Sequence, residues 1–168
     1  MSDKSTVTGV RAMGLAVTIL TNRRPALRVV LVDDASGTPS IVDCSDIPAS
    51  AESLAAQLHT LARAIDSRAR GAGQVDRVVV RRADNPPRAS NNEGPKLRLL
   101  AEGAVIAAIR DVVPVVDVGT GRDIGRWCGS NKEGADTAAS NLLSAAGRDA
   151  MYVEAAAGAI AGLALGVP

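Results

Sequence analysis

Gly14-Leu15-Ala16-Val17-Thr18-Ile19-Leu20, then Thr21-Asn22-Arg23-Arg24-Pro25, then Leu27-Arg28-Val29-Val30-Leu31-Val32: the reading of this stretch decides the fold. Two apolar runs rich in β-branched residues flank a polar, proline-containing turn. That pattern predicts a strand, a turn and a second strand, most simply a hairpin. No Asp or Glu occurs between Lys4 and Val32, so neither strand carries a carboxylate until Asp33-Asp34 at its very end. That pair reads as a solvated strand terminus before a turn.

Working outward, Pro39 to Cys44 offers a third strand after the turn-rich Ala35-Ser36-Gly37-Thr38. A helix follows, with Ser50 as its expected N-cap, Glu52 in its first turn and a stripe of Leu54, Leu58, Leu61 and Ile65. It ends near Gly71-Ala72-Gly73. Val75 to Arg81 reads as a buried strand, because Val78-Val79-Val80 is continuously apolar. After the polar loop Ala83 to Gly94, a second helix is expected over Pro95 to Asp111, turning Leu99, Gly103 and Ile106 to the core. Val112 to Val118 reads as another buried strand. Ser130-Asn131-Lys132-Glu133 has the form of a capping box, so a third helix is expected there. Gly147 stops it, Asp149 can cap the last helix, and that helix runs to about Leu165.

The order is β-β-β-α-β-α-β-α-α, an α/β fold with a mixed sheet and helices on both faces. Residues 1–9 are expected as a flexible N-terminus and 10–168 as a single domain. The chain has 168 residues, 46% of them hydrophobic, and a net charge of +1, so no strong overall field draws in polyanions. Trp127 and Tyr152 are the only aromatics, which argues against a base-stacking platform. Cys44 and Cys128 have no metal-ligand spacing and read as reduced thiols of a cytoplasmic protein. Met151 to Pro168 is apolar, but Glu154 and three glycines interrupt it, and a bilayer span needs ~20 apolar residues. No membrane partner is expected. Basic residues are mostly Arg, with Lys only at positions 4, 96 and 132, a bias that suggests a GC-rich bacterial genome.

This succession resembles the ribonuclease H-like superfamily, which includes Holliday-junction resolvases of the RuvC type. The resemblance spans about residues 10–165. Gly14-Leu15-Ala16-Val17, Val78-Val79-Val80-Arg81-Arg82 and Lys96 to Ala108 are also similar to a small bacterial family of unknown function within it. The resemblance implies acids on the first strand, at the end of the fourth and on the last helix, holding two divalent metals, Mg²⁺ or Mn²⁺, that activate water. The first-strand position falls at Ala16, or at Arg11 in another register, and the fourth-strand position at Arg82. Asp84 lies two residues beyond. Glu154 falls where the family places an acid on the last helix, and the next position, one turn on, falls at Ala157 or Gly158. The carried-over set of catalytic acids is degenerate. Glu154 also reads as a first-turn carboxylate favoured by the helix dipole. Asp117, on a central strand, would need a partner, and Arg122 is the candidate.

Val115 to Gly121 looks like the glycine turn of methyltransferases and dinucleotide sites, but nothing after it supplies the rest of such a domain, so it reads as a strand exit. His59, the only histidine, lies off the apolar stripe and makes no zinc site. Arg81, Arg82, Arg88, Lys96 and Arg98 surround the loop after the fourth strand. Arg122, Arg126 and Lys132 border the loop after the fifth. These residues form a candidate nucleic-acid-binding edge, or simply a solvated basic face. Gly158, Gly162 and Gly166 give the last helix a small-residue face suited to close packing on the sheet or to a homodimer contact. The expected function is that of a catalytically degenerate binding or scaffold domain without a cofactor, contacting nucleic acid or a protein partner. The alternatives are an active metal-dependent nuclease using Asp84, Asp117 and Glu154, and, below it, a nucleotide or small-ligand binder.

Overall fold

The structure is a computed structural model that describes residues 9–49, 53–84 and 93–168. The hairpin forms where the two β-branched runs predict it. Strands β1 (Arg11–Ile19) and β2 (Pro25–Asp33) pair antiparallel from Arg11 opposite Asp33 to Ile19 opposite Pro25. β3 (Ser40–Pro48) continues the meander on β2, with a register shift between Leu31 and Val32. β4 (Arg77–Arg81) joins β1 in parallel and β5 (Val116–Gly119) joins β4 in parallel, so the sheet runs β3-β2-β1-β4-β5.

Period-two alternation splits the sheet into two faces. Met13, Leu15 and Val17 of β1 join Val78 and Val80 of β4 in one core. Helices α1 (Leu54–Gly71) and α2 (Glu93–Arg110) close it with Leu61, Ile65, Val105 and Ile109. Ala12 and Ala16 of β1 and Val79 of β4 face the opposite way. Helices α3 (Gly121–Trp127), α4 (Lys132–Ala145) and α5 (Val153–Leu165) cover them.

The second core is built from small residues at very short range. A Cβ on Gly14 would fall 1.8 Å from the Ala155 carbonyl oxygen, so α5 rests directly on the β1 backbone. On the helix side, a Cβ on Gly162 would lie 2.8 Å from the Ala12 Cβ. With little side-chain area to bury, stability here comes from dense backbone contact. Gly158 and Gly162 are thus used within the chain, and Gly166 ends α5 at φ 73°. Among the described residues, no helix is long and apolar enough to cross a membrane.

Several local expectations are corrected. Ser50 lies outside the described residues, and Ser53 caps α1 by accepting from the Ala56 N–H. Leu54 is exposed rather than part of the core stripe. On α2 the core face is Ala101, Glu102, Val105 and Ile109, while Leu99 is 66% exposed and Gly103 faces solvent. Val112 and Val113 donate to the Ile109 carbonyl and finish α2 instead of starting β5, which is a half-exposed edge strand. The cap of α4 is Asn131, accepting from the Gly134 N–H, one residue later than the Ser130-x-x-Glu133 pattern predicts. Helix α3 was missed because its glycines read as a turn. Gly125 is required there, since a Cβ would lie 2.2 Å from the Asn131 backbone.

Candidate functional site

β1 and β4 are parallel neighbours, so their C-terminal ends open at the same edge of the sheet. Register places Ala16 opposite Arg81, with Arg28 of β2 and Gly119 of β5 continuing the row on either side. Ala16 is buried, and Arg81 beside it is only 2% exposed. A buried guanidinium needs compensation, and two helices supply it. Its Nη1 donates to Asp136 Oδ1 on α4 at 2.7 Å, and its Nη2 lies 4.0 Å from Glu154 Oε1 on α5. Gly121 stands where it does for the same reason: a Cβ there would come within 2.6 Å of Arg81 Nη2.

The charges continue outward. Arg98 Nη2 donates to Glu154 Oε2 at 3.2 Å, and Arg98 Nε to Glu102 Oε1 at 2.9 Å. Glu102 is 1% exposed, and the same Oε1 accepts from the Ala83 N–H at 2.8 Å. The alternating series Asp136, Arg81, Glu154, Arg98, Glu102 therefore ties α4, β4, α5 and α2 together.

The exit of β4 is clamped along its length. The Arg82 N–H donates to the Gly119 carbonyl, and the Gly121 N–H donates to Asp84 Oδ1 at 2.9 Å. Asp84 Oδ2 accepts from Lys132 Nζ. The Lys132 hydrogen bond holds the Asp84 carboxyl below the usual carboxylate range; partial burial opposes it and the Gly121 N–H assists. Lys132 is raised in turn, first by its hydrogen bond to Asp84. The loops after β4 and β5 thus meet at one edge.

Most of the candidate cations are spent on internal partners. Arg81 and Arg98 belong to the charge series, Lys132 holds Asp84, Arg126 pairs with Asp123 at 2.7 Å and Lys96 with Glu93 at 3.3 Å. Arg82 and Arg122 are exposed and have no ion pair among the described residues. Arg88 lies outside the described residues. Asp117 pairs with Arg77, not with Arg122 as the sequence suggests, and Arg77 Nε also donates to the Gly166 carbonyl. Gly166 follows α5 at the end opposite Glu154, ~18 Å away at 1.5 Å per residue. Asp84, Asp117 and Glu154 are therefore not assembled into one set.

The glycine turn is the cap of α3. Thr120 and Asp123 form a reciprocal capping box, and Asp84 takes the Gly121 N–H, so these amides already have partners. His59 is exposed on α1. Burial raises both thiols, Cys44 and Cys128, away from reactive thiolate character.

The fold superposes on Thermus thermophilus RuvC in complex with a Holliday junction substrate, at a TM-score of 0.65 over 90% of this chain and 91% of that one, with 14% identity. The fold is ribonuclease H-like. A second structure of Thermus thermophilus RuvC gives a TM-score of 0.62 and 16% identity over 90% of this chain and 92% of its own. No protein-family model matches the sequence, and no curated protein matches it.

In a ribonuclease H-like fold the metal-binding acids would sit on β1, at the end of β4 and on α5. Here the β1–β4 register sets Ala16, the first-strand position that the resemblance implies, opposite Arg81, the residue before Arg82. Among the described residues, no three His, Cys, Asp or Glu side chains cluster so as to hold a metal ion. Among the described residues, the carboxylates beside Arg81 are bridged by guanidinium groups and Ala16 supplies no metal ligand, a set that does not match two-metal chemistry. Sequence reasoning missed Glu102 and Asp136. The Arg98–Glu102 pair had a signal, its four-residue helical spacing; Asp136 had none.

Proposed function

We propose that this is a ribonuclease H-like domain that binds nucleic acid without cleaving it. The observation that carries the reading is the buried Arg81 guanidinium, standing beside Ala16 and bound to Asp136 and Glu154 where divalent cations would need carboxylates. A fixed cation at that point repels a second one and uses the acids that would hold it. The binding half of the proposal is supported by the fold shared with a RuvC solved on a Holliday junction. It is supported too by Arg82 and Arg122, exposed at the edge where the β4 and β5 loops meet. Phosphate contacts by two such arginines position a strand without reading its sequence.

The test is incubation with labelled duplex, branched DNA and RNA–DNA hybrid in Mn²⁺, beside Glu154→Ala. A salt-sensitive, metal-independent shift without cleavage is expected. Cleavage by the wild type that Glu154→Ala abolishes would overturn the proposal in favour of a nuclease with a rearranged acidic site. Absence of any shift would overturn its binding half and leave a protein partner or a second copy of the chain as the ligand.

A further inference from the structure

A cavity of about 680 Å³ opens beside the clamped β4 exit. Ile19 at the end of β1 and Pro95 and Leu99 on the first turns of α2 form its apolar walls, and Arg82, Arg98, Glu102 and Asp84, the last already held by Lys132, supply its charge. Its size is that of a small-ligand pocket, mostly apolar with a few polar groups. Leu99, 66% exposed, is a large apolar side chain on a helix surface that no other element covers.

Glu102 gives the cavity its chemistry. Oε1 accepts from the Ala83 N–H and from Arg98 Nε, while Oε2 is buried and has no hydrogen-bond partner among the described residues. Buried polar atoms are nearly always bonded, so such an exception points to a missing donor. An ionised carboxylate oxygen only accepts, and this one has both lone pairs free.

We propose that this cavity receives a single unpaired guanine, its N1–H and 2-amino group directed at Glu102 Oε2 and its phosphate at Arg82. Guanine presents two adjacent N–H donors on its pairing edge. Adenine and cytosine each set an acceptor nitrogen beside the amino group, and uracil flanks its one N–H with two carbonyls, so a carboxylate repels part of each. Arg82, exposed and with no carboxylate partner among the described residues, matches a phosphate. Oε2 is closed to solvent in this conformation, so the base reaches it as the Arg98 side chain, bonded to the neighbouring Oε1, shifts, while Leu99 remains as an apolar wall against the base. The inference rests on the nucleic-acid reading for a base within a strand. A free nucleotide offers the same chemistry.

Calorimetric titration with the four nucleoside monophosphates, and with single strands containing or lacking guanine, tests it. GMP is expected to bind about tenfold or more tighter than AMP, CMP and UMP, as a two-donor base contact discriminates. Glu102→Gln, which keeps shape but turns an acceptor toward a donor, should erase that preference without changing the circular dichroism spectrum. Leu99→Ala, at an exposed position, should weaken GMP several-fold even if Glu102→Gln fails to fold. Equal binding of the four nucleotides, or a preference that survives Glu102→Gln or ignores Leu99→Ala, overturns the pocket. If branched DNA still binds in that case, the pocket alone has failed. If GMP binds selectively while no strand binds, the pocket stands for a free nucleotide and the nucleic-acid reading has failed.

Discussion

Arg81 lies opposite Ala16 across the β1–β4 ladder, and only the arginine of the pair carries charge. The alanine methyl leaves the guanidinium free to reach past the strand to Asp136 and Glu154, so two helices are anchored on one β4 side chain. In this arrangement the cation is covalently part of the chain.

Removing that cation should therefore destabilise the protein rather than open a metal site. Arg81→Ala is expected to cost about 2–4 kcal/mol, since it strands two carboxylates and leaves a cavity. Urea denaturation of both proteins checks it. Unchanged stability, or a gain on adding Mn²⁺ to the variant, would contradict the account.

The contact between α5 and β1 predicts an asymmetry between two glycines. Gly14→Ala drives a methyl into the Ala155 carbonyl and should cost about 3 kcal/mol or more, or prevent folding. Gly103→Ala, on an exposed helical surface with nothing within 4 Å, should stabilise by up to about 1 kcal/mol. Thermal melts of the two variants give the comparison.

The Asp84–Lys132 strap makes stability depend on pH at both extremes. The folded carboxyl is lowered, so its contribution is full above the ordinary carboxylate value of ~3.9 and is lost as pH falls through the lowered folded value. Lys132 is raised, so its contribution is full below the ordinary lysine value of ~10.4 and is lost as pH rises through the raised folded value. Both groups are largely solvent-exposed, which screens the pair to about 1 kcal/mol or less. Lys132→Met should melt below wild type at neutral pH, with the gap closing in strong acid and strong alkali.

If Arg82 and Arg122 contact phosphates, each contributes one released counterion. Arg82→Ala and Arg122→Ala should each weaken binding of mixed-sequence DNA and reduce the slope of log affinity against log salt by about 1. Arg126→Ala, which removes a residue already paired with Asp123, should change the slope less.

Local chemistry made much of the fold legible. The Gly14–Val32 hairpin, the Val78–Val80 strand and the glycines of the last helix each carry a signal within a few residues, because strand pairing and close packing demand particular side chains at short spacing. Leu99 misled because periodicity alone does not choose between an apolar face that meets the core and one that borders a cavity. Helix α3 escaped because seven residues give too little periodicity, and its capping box stands among glycines that signal a turn.

The sequence by itself determined the order of the strands and of every α-helix but α3, the absence of an acid on the first strand, and the small-residue character of the last helix. Only the tertiary structure decided which charges meet. Arg81 and Asp136 are 55 residues apart, Arg98 and Glu154 are 56 apart, and Arg77 pairs with Asp117, 40 residues on. Charge is non-directional along the chain, so its partners are set by strand register and helix placement rather than by any local pattern.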